Sequence, residues 1–477
     1  IVSDRNSKPG EQWPLGIVFF LRPAVSLPLT LIFILLAIPV TYRSTRLSGI
    51  PPIDEPVDRE SQGRVVITDG ENAFTLYRDV YSELESRRLS APDLGEAIDA
   101  LETSGWNAAA PLIESHLESR QALLERWRLG TERRRGVRVQ PADLKFHDCI
   151  RFSETREIGR LVVLKAAQCL HYGKPDEAWK WSRALFRFSR HLGNPGHEVD
   201  RLLGKSLFSM ATKQLVLWAA DDRVDSLAIA AAQRELRTIG EMTAVNSTVV
   251  KSTYLDRMNS LESHEWTKAV CEFEGSMSNS YLFLNSEPDL CRMLLRHAYA
   301  NYLSQCDLSR SRRVMAGGGL SLFRPTGKEN PPLMDPAALS SAMDRSHLAQ
   351  VHLMHINLLL TSSDIELAMR STLQLCLSAE LFRREQGKYP EALDDLVPRY
   401  FDEVPNDLFS ADPCEQMLLR KVEESPEDDV ANSRSVTRRW LVIYSRGPNG
   451  FDDGGKTVSQ ADVGHRIPLP GGLPDKD

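Results

Sequence analysis

Three aspartates near the end of the chain come closest to a chemical site by residue type and spacing. Asp452 and Asp453 stand in the run Phe451-Asp452-Asp453-Gly454-Gly455, and Asp462 follows in the same Gly-containing stretch. Carboxylates on a flexible Gly-rich turn, joined by backbone carbonyls, make the oxygen-rich shell that Ca²⁺ takes. The spacing does not fit an EF-hand loop. Asp and Gly also build plain solvated turns through their backbone geometry. From the residues alone, calcium binding and a simple turn both stay open.

Other clusters carry less. His347, His352 and His355 lie close together on a predicted helix, but His347 is five residues from His352, a poor helical stack, and no H-E-x-x-H pattern is present. Gly317-Gly318-Gly319 and Thr326-Gly327-Lys328 suggest a phosphate loop, yet Glu329 follows Lys328 where Ser or Thr is required. There is no G-x-S-x-G elbow and no G-x-G-x-x-G after a strand. No catalytic residue and no organic cofactor is therefore expected. Seven cysteines occur without a C-x-x-C pair, which argues against zinc and favours small buried thiols; one disulfide within 271–306 stays open. The net charge of −7 leaves no concentrated basic surface, so nucleic acid is not an expected partner.

The elements that must position any site begin with an apolar run. After a flank at 1–22, residues 23–42 contain no charge, with Arg22 before and Arg43 and Arg46 after. That length reaches the roughly 20 residues that span a hydrocarbon core. A cleaved signal would show a shorter apolar core and a small-x-small site, and none follows Pro39-Val40-Thr41-Tyr42. The expectation is an uncleaved single-pass helix in the lipid bilayer. Arginines on both flanks leave its orientation undecided. Residues 43–70, with Pro51, Pro52 and Pro56, predict an extended linker or stalk.

Residues 71–360 predict a helical-hairpin domain. The run Ile158, Leu161, Val162 and Leu164 leads to a break at Gly173-Lys174-Pro175, with Asp176 expected as the next N-cap. Ala178, Trp181, Leu185 and Phe188 then mark one helix face. This hairpin looks like a tetratricopeptide-type unit, although no fixed-period repeat follows. Trp179 and Trp181 point in different directions, Trp181 to the core and Trp179 toward Phe186. From about 308 to 336 a Gly/Pro-rich stretch predicts a long loop.

Residues 361–477 carry the most specific pattern. Ala368, Thr372, Leu375, Ala379 and Phe382 form one helix face that ends at Gly387. Then come Lys388-Tyr389-Pro390, Leu393-Asp394-Asp395-Leu396-Val397-Pro398, Val404-Pro405-Asn406-Asp407-Leu408-Phe409, and Tyr444-Ser445-Arg446-Gly447-Pro448-Asn449-Gly450 leading into the aspartates. Arg438–Ser445 has strand composition, Cys414–Val422 can supply its partner, and Glu423–Asn432 would be the loop between them. This order resembles the C-terminal region of a group of membrane-anchored planctomycete proteins, and it is similar to the head of type II secretion major pseudopilins. Leu408 replaces the usual proline. The anchor lacks a prepilin cleavage site, and hundreds of residues separate it from the head, so only the head-like module is carried over. The resemblance implies an extracytoplasmic body, a small antiparallel sheet and calcium at the Asp452, Asp453 and Asp462 loop.

The expected fold is mainly α: a transmembrane helix, stacked hairpins and a small C-terminal α+β module with antiparallel strands. The expected function is a membrane-anchored interaction or assembly scaffold with a protein or peptide partner. The alternative is a tethered hydrolase whose 308–336 loop covers a site between helices.

Overall fold

The structure is a computed structural model that describes residues 23–86, 93–144, 152–263, 286–313, 315–316, 319–320, 336–353, 356–424, 438–457 and 462–469. The protein is mainly helical with a small antiparallel sheet, as its sequence predicts. The helices are α1 (Pro23–Ser48), a single turn α2 (Arg59–Gln62), α3 (Phe74–Ser86), α4 (Leu94–Ser104), α5 (Trp106–Ser119), α6 (Gln121–Thr131), α7 (Phe152–His171) and α8 (Pro175–His191). They continue as α9 (Glu198–Ala220), α10 (Ser226–Glu241), α11 (Asn246–Glu262), α12 (Glu287–Gln305), α13 (Pro336–Asp344), α14 (His347–Leu353) and α15 (Ile356–Gln386). A two-residue ladder pairs β1 (Met315–Ala316) with β2 (Gly319–Leu320). The sheet is β3 (Leu418–Glu424), β4 (Arg438–Ser445) and β5 (Val463–Pro468), antiparallel with β4 in the centre.

The α7–α8 hairpin turns where the sequence places it. Gly173 takes a φ of 71°, Lys174 N–H bonds Cys169 O at 2.9 Å, and Gly173 N–H bonds Leu170 O at 3.1 Å. This double closure satisfies the last carbonyls of α7. Asp176 is not the N-cap. Lys174 occupies that position and Pro175 is the first helical residue, because its missing N–H and fixed φ suit that place. Asp176 instead sits in the first turn, where its charge suits the helix dipole. Trp181 is buried as expected, but Trp179 meets Trp218, with ring centroids 5.6 Å apart. Phe186 faces Phe208 instead, at 5.4 Å.

Two large cores result. One joins α3–α10 to the second half of α15 and to the sheet, so Leu441, Ile443 and Ile467 pack in the same cluster as Leu185 and Phe188. The other gathers α11, α12, α13, α14 and the first turns of α15 around Tyr254, Leu294 and Tyr299. Helix α15 runs through both, and the boundary expected between 360 and 361 falls inside it. At its end Gly387 takes a φ of 74°, and Tyr389 folds back to donate to Glu380 Oε1 at 2.6 Å.

The Pro-rich segment expected as a stalk is docked. Ile50 and Val57 are buried in the second core, and His297 Nε2 lies 2.7 Å from Pro51 O. Burial of these apolar side chains outweighs the stiffness that the prolines give the chain. Arg133 and Arg135 also hold local structure. Arg133 donates to Asp69 O and Asn72 O at 2.7 and 2.6 Å, and Arg135 to Val66 O at 3.0 Å.

Helices α8 and α9 approach closely at Gly204, where an added Cβ would lie 2.5 Å from the backbone oxygen of Ser189. Gly204→Ala should lower stability by about 1–3 kcal/mol through overpacking. This holds even though Ala favours a helix by about 1 kcal/mol over Gly. Denaturant titration of the detergent-solubilised chain tests it, and an unshifted midpoint would contradict the close approach.

Candidate functional site

The most distinctive polar features of this interior are ionic. Helix α8 brings Arg190 in its last turn, α9 brings Arg201 and Lys205, and α15 brings Glu366. All four are buried. One Glu366 oxygen accepts from Arg190 Nη1, and the other accepts from Arg201 Nη2 at 2.9 Å. Burial works to raise the Glu366 pKa, but attraction from Arg190, Arg201 and Lys205 prevails and holds it at about 2. Burial pulls Arg190 down to about 10 against the pull of Glu366. Burial also pushes Lys205 well below the usual lysine range; its Nζ donates to Leu359 O and Ser363 Oγ at 2.8 and 2.6 Å. Nearby, Asp364 is held by Arg313 at 2.8 Å and Arg310 at 3.3 Å.

A cleft of about 260 Å³ opens beside this cluster, between α8, α9, α10 and α15. Phe186, Phe208 and Phe401 form apolar walls, and Arg190, Arg237 and Arg370 supply charge. The Arg190 guanidinium lies 4.4 Å from the Phe208 ring centroid. Arg370 lies against Gly240, whose missing side chain leaves room for it: an added Cβ would stand 1.9 Å from Nη2.

A second buried cluster joins α9 to α11. Arg257 Nη2 donates to Glu198 Oε1 at 2.5 Å, and His197 Nδ1 stands 3.3 Å from Glu198 Oε2. Asp256 Oδ2 is 3.2 Å from His197 Nε2 and 3.3 Å from Arg257 Nη1, within ion-pair range but without hydrogen-bond geometry. Burial opposes ionisation of Glu198, yet Arg257 and His197 hold it at about 2. Glu198 and Asp256 are almost completely buried and do not line the cleft, so a substrate there does not meet them as acid or base.

The three aspartates organise their own loop. Asp462 accepts from the N–H groups of Asp453, Gly455 and Lys456 at 3.2, 2.8 and 3.0 Å. Asp452 accepts from Tyr444 Oη at 2.9 Å, Arg420 at 3.0 Å and Gly454 N–H at 2.9 Å. Asp453 accepts from the Asn449 amide at 2.7 Å. Among the described residues no three His, Cys, Asp or Glu side chains gather to hold a metal ion. Gly454 and Gly455, with φ of 81° and 82°, let the backbone N–H groups turn toward Asp462.

Of the three histidines, His352 is buried, while His355 and the His347 side chain lie outside the described residues. Cys291 and Cys306 are free buried thiols, and Cys271 lies outside the described residues. So does most of the 308–336 loop, including Thr326-Gly327-Lys328; its start is fixed by Arg310 and Arg313. No sequence motif marks the arginine cleft. One signal was present: Glu366, Arg370, Leu373 and Leu377 step by four, three and four, so charges share a helix face with core leucines.

No protein-family model, curated protein or solved structure matches the chain.

Glu366→Gln should cost about 3–5 kcal/mol of unfolding free energy, because it leaves two buried guanidiniums without a counter-charge. A denaturant midpoint indistinguishable from the parent would refute this. A pH series gives an independent check. Burial keeps His191 and His352 at about 3 and His465 at about 4, so they stay neutral when folded. The unfolded chain protonates them below about 6.5, so stability falls as pH drops from there toward 3–4, by about 1.4 kcal/mol per histidine per pH unit. Glu198 and Glu366 add a further loss below about 4.5, the unfolded value, down to about 2. A midpoint that stays flat between pH 7 and 5 would exclude the histidine contribution.

Proposed function

We propose that the protein is a single-pass, membrane-tethered interaction scaffold whose body lies on the extracytoplasmic side. The supporting observation is the way the apolar helix meets the body. Among the described residues α1 is the one helix long and apolar enough to cross a membrane, over Thr30–Ser48. Leu31, Phe33, Ile38 and Val40 are exposed, as a lipid-facing helix requires. Its last turns are clamped. Arg43 Nη2 lies 3.5 Å from Asp289 Oδ2, Arg46 Nη2 lies 3.8 Å from Glu287 Oε1, and Arg46 donates to Arg345 O at 2.7 Å. Such a joint holds the body against the bilayer surface in one orientation.

The extracytoplasmic side is supported by the pseudopilin-like order of the C-terminal motifs. Asp407 gives that order a physical basis, since it accepts from Phe409 N–H, Ser445 Oγ and Arg446 N–H at 3.0, 2.5 and 3.0 Å.

The full chain should stay with membranes through alkaline carbonate washing, and Leu31→Asp with Ile34→Asp should release it. Each charge at a helix centre costs about 2.5–3.5 kcal/mol of insertion free energy. Protease added to spheroplasts should digest the body. Recovery of the intact chain in the soluble fraction would end the anchor reading, and protection from protease would reverse the topology.

A further inference from the structure

We propose that the cleft between α8, α9, α10 and α15 binds an organic carboxylate that carries an aromatic or aliphatic body. Arg370 makes no hydrogen bond or ion pair among the described residues, although it lines the cleft and is held in place over Gly240. Arg190 is 1% exposed, and among the described residues its Nε and Nη2 find no acceptor, while Nη1 reaches Glu366. Buried guanidinium N–H groups left without acceptors are costly, and a bound anion supplies the missing oxygens. The local charge points the same way. Among the described residues Glu366 is the one carboxylate shared by Arg190 and Arg201, while Arg370 and Arg237 add positive charge beside it.

The walls decide the rest of the ligand. Phe186, Phe208, Leu236 and Leu373 give the cleft an apolar lining beyond the guanidiniums. A hydrated inorganic anion would lose water there without covering that surface. A planar carboxylate matches the arginine fork, and an apolar body fills the space between the rings.

The test is titration of the detergent-solubilised full chain with benzoate, with benzyl alcohol and inorganic phosphate in parallel. Benzoate should bind saturably, benzyl alcohol should not, and phosphate should bind more weakly than benzoate. Arg370→Gln should weaken benzoate by about tenfold or more, the loss of one charge-assisted contact. Its unliganded melting temperature should fall far less than that of Glu366→Gln, because Arg370 has no hydrogen bond or ion pair among the described residues to lose and only feels the nearby Glu366 charge. Gly240→Ala, which displaces the same guanidinium, should lose binding as well. Benzoate that never saturates, phosphate binding in its place, or full affinity in Arg370→Gln would each overturn the assignment.

Discussion

Glu366 is the charge on which the packing of α8, α9 and α15 depends. It stands where the three helices meet and holds Arg190 with one oxygen and Arg201 with the other. Two guanidiniums in an apolar interior are not tolerated without a counter-charge. The carboxylate therefore fixes which residues of α15 face the α8–α9 pair. An ionic arrangement of this kind adds little over well-packed apolar side chains in net stability. We read its contribution here as register.

The consequences spread along α15. Its first turns sit in one core and its second half in the other, and between them Ser363, Asp364 and Glu366 are buried. Each is matched by a group from another helix or loop: Lys205 for Ser363, Arg313 for Asp364, and Arg190 with Arg201 for Glu366. The second ionic cluster, Glu198 with Arg257, repeats the solution between α9 and α11. Helices α8 and α9 approach closely at Gly204, and Gly240 leaves room for the Arg370 side chain. The cleft follows from the same geometry, since Arg190 and Arg370 offer more donors than Glu366 can accept.

The two ends of the chain are joined to this frame by polar contacts over buried apolar residues. At the start, Arg43 and Arg46 close on Asp289 and Glu287 above Ile50 and Val57. At the end, Asp407, Asp452 and Asp462 tie consecutive loops to the sheet through backbone N–H groups and the Tyr444 hydroxyl. Carboxylates spent in this way give rigidity to Gly-rich turns that would otherwise sample many conformations.

The sequence by itself determined the elements. Periodicity marked α7, α8 and α15, the Gly173 and Gly387 stops marked their ends, and β-branched and aromatic residues marked β4. These signals are local, because helix stripes, caps and strand alternation act within a few residues. The absence of charge over residues 23–42 was equally plain. Only the tertiary structure decided what lies between elements. It brought Arg190, Arg201, Glu366 and Arg370 together from positions up to 180 residues apart. It turned a Pro-rich stretch into a docked strap, and it ran one core across an expected domain boundary. The physical reason is common to all three. A buried charge is placed by its partner and an apolar side chain by the surface that covers it, and neither partner nor surface is adjacent in sequence.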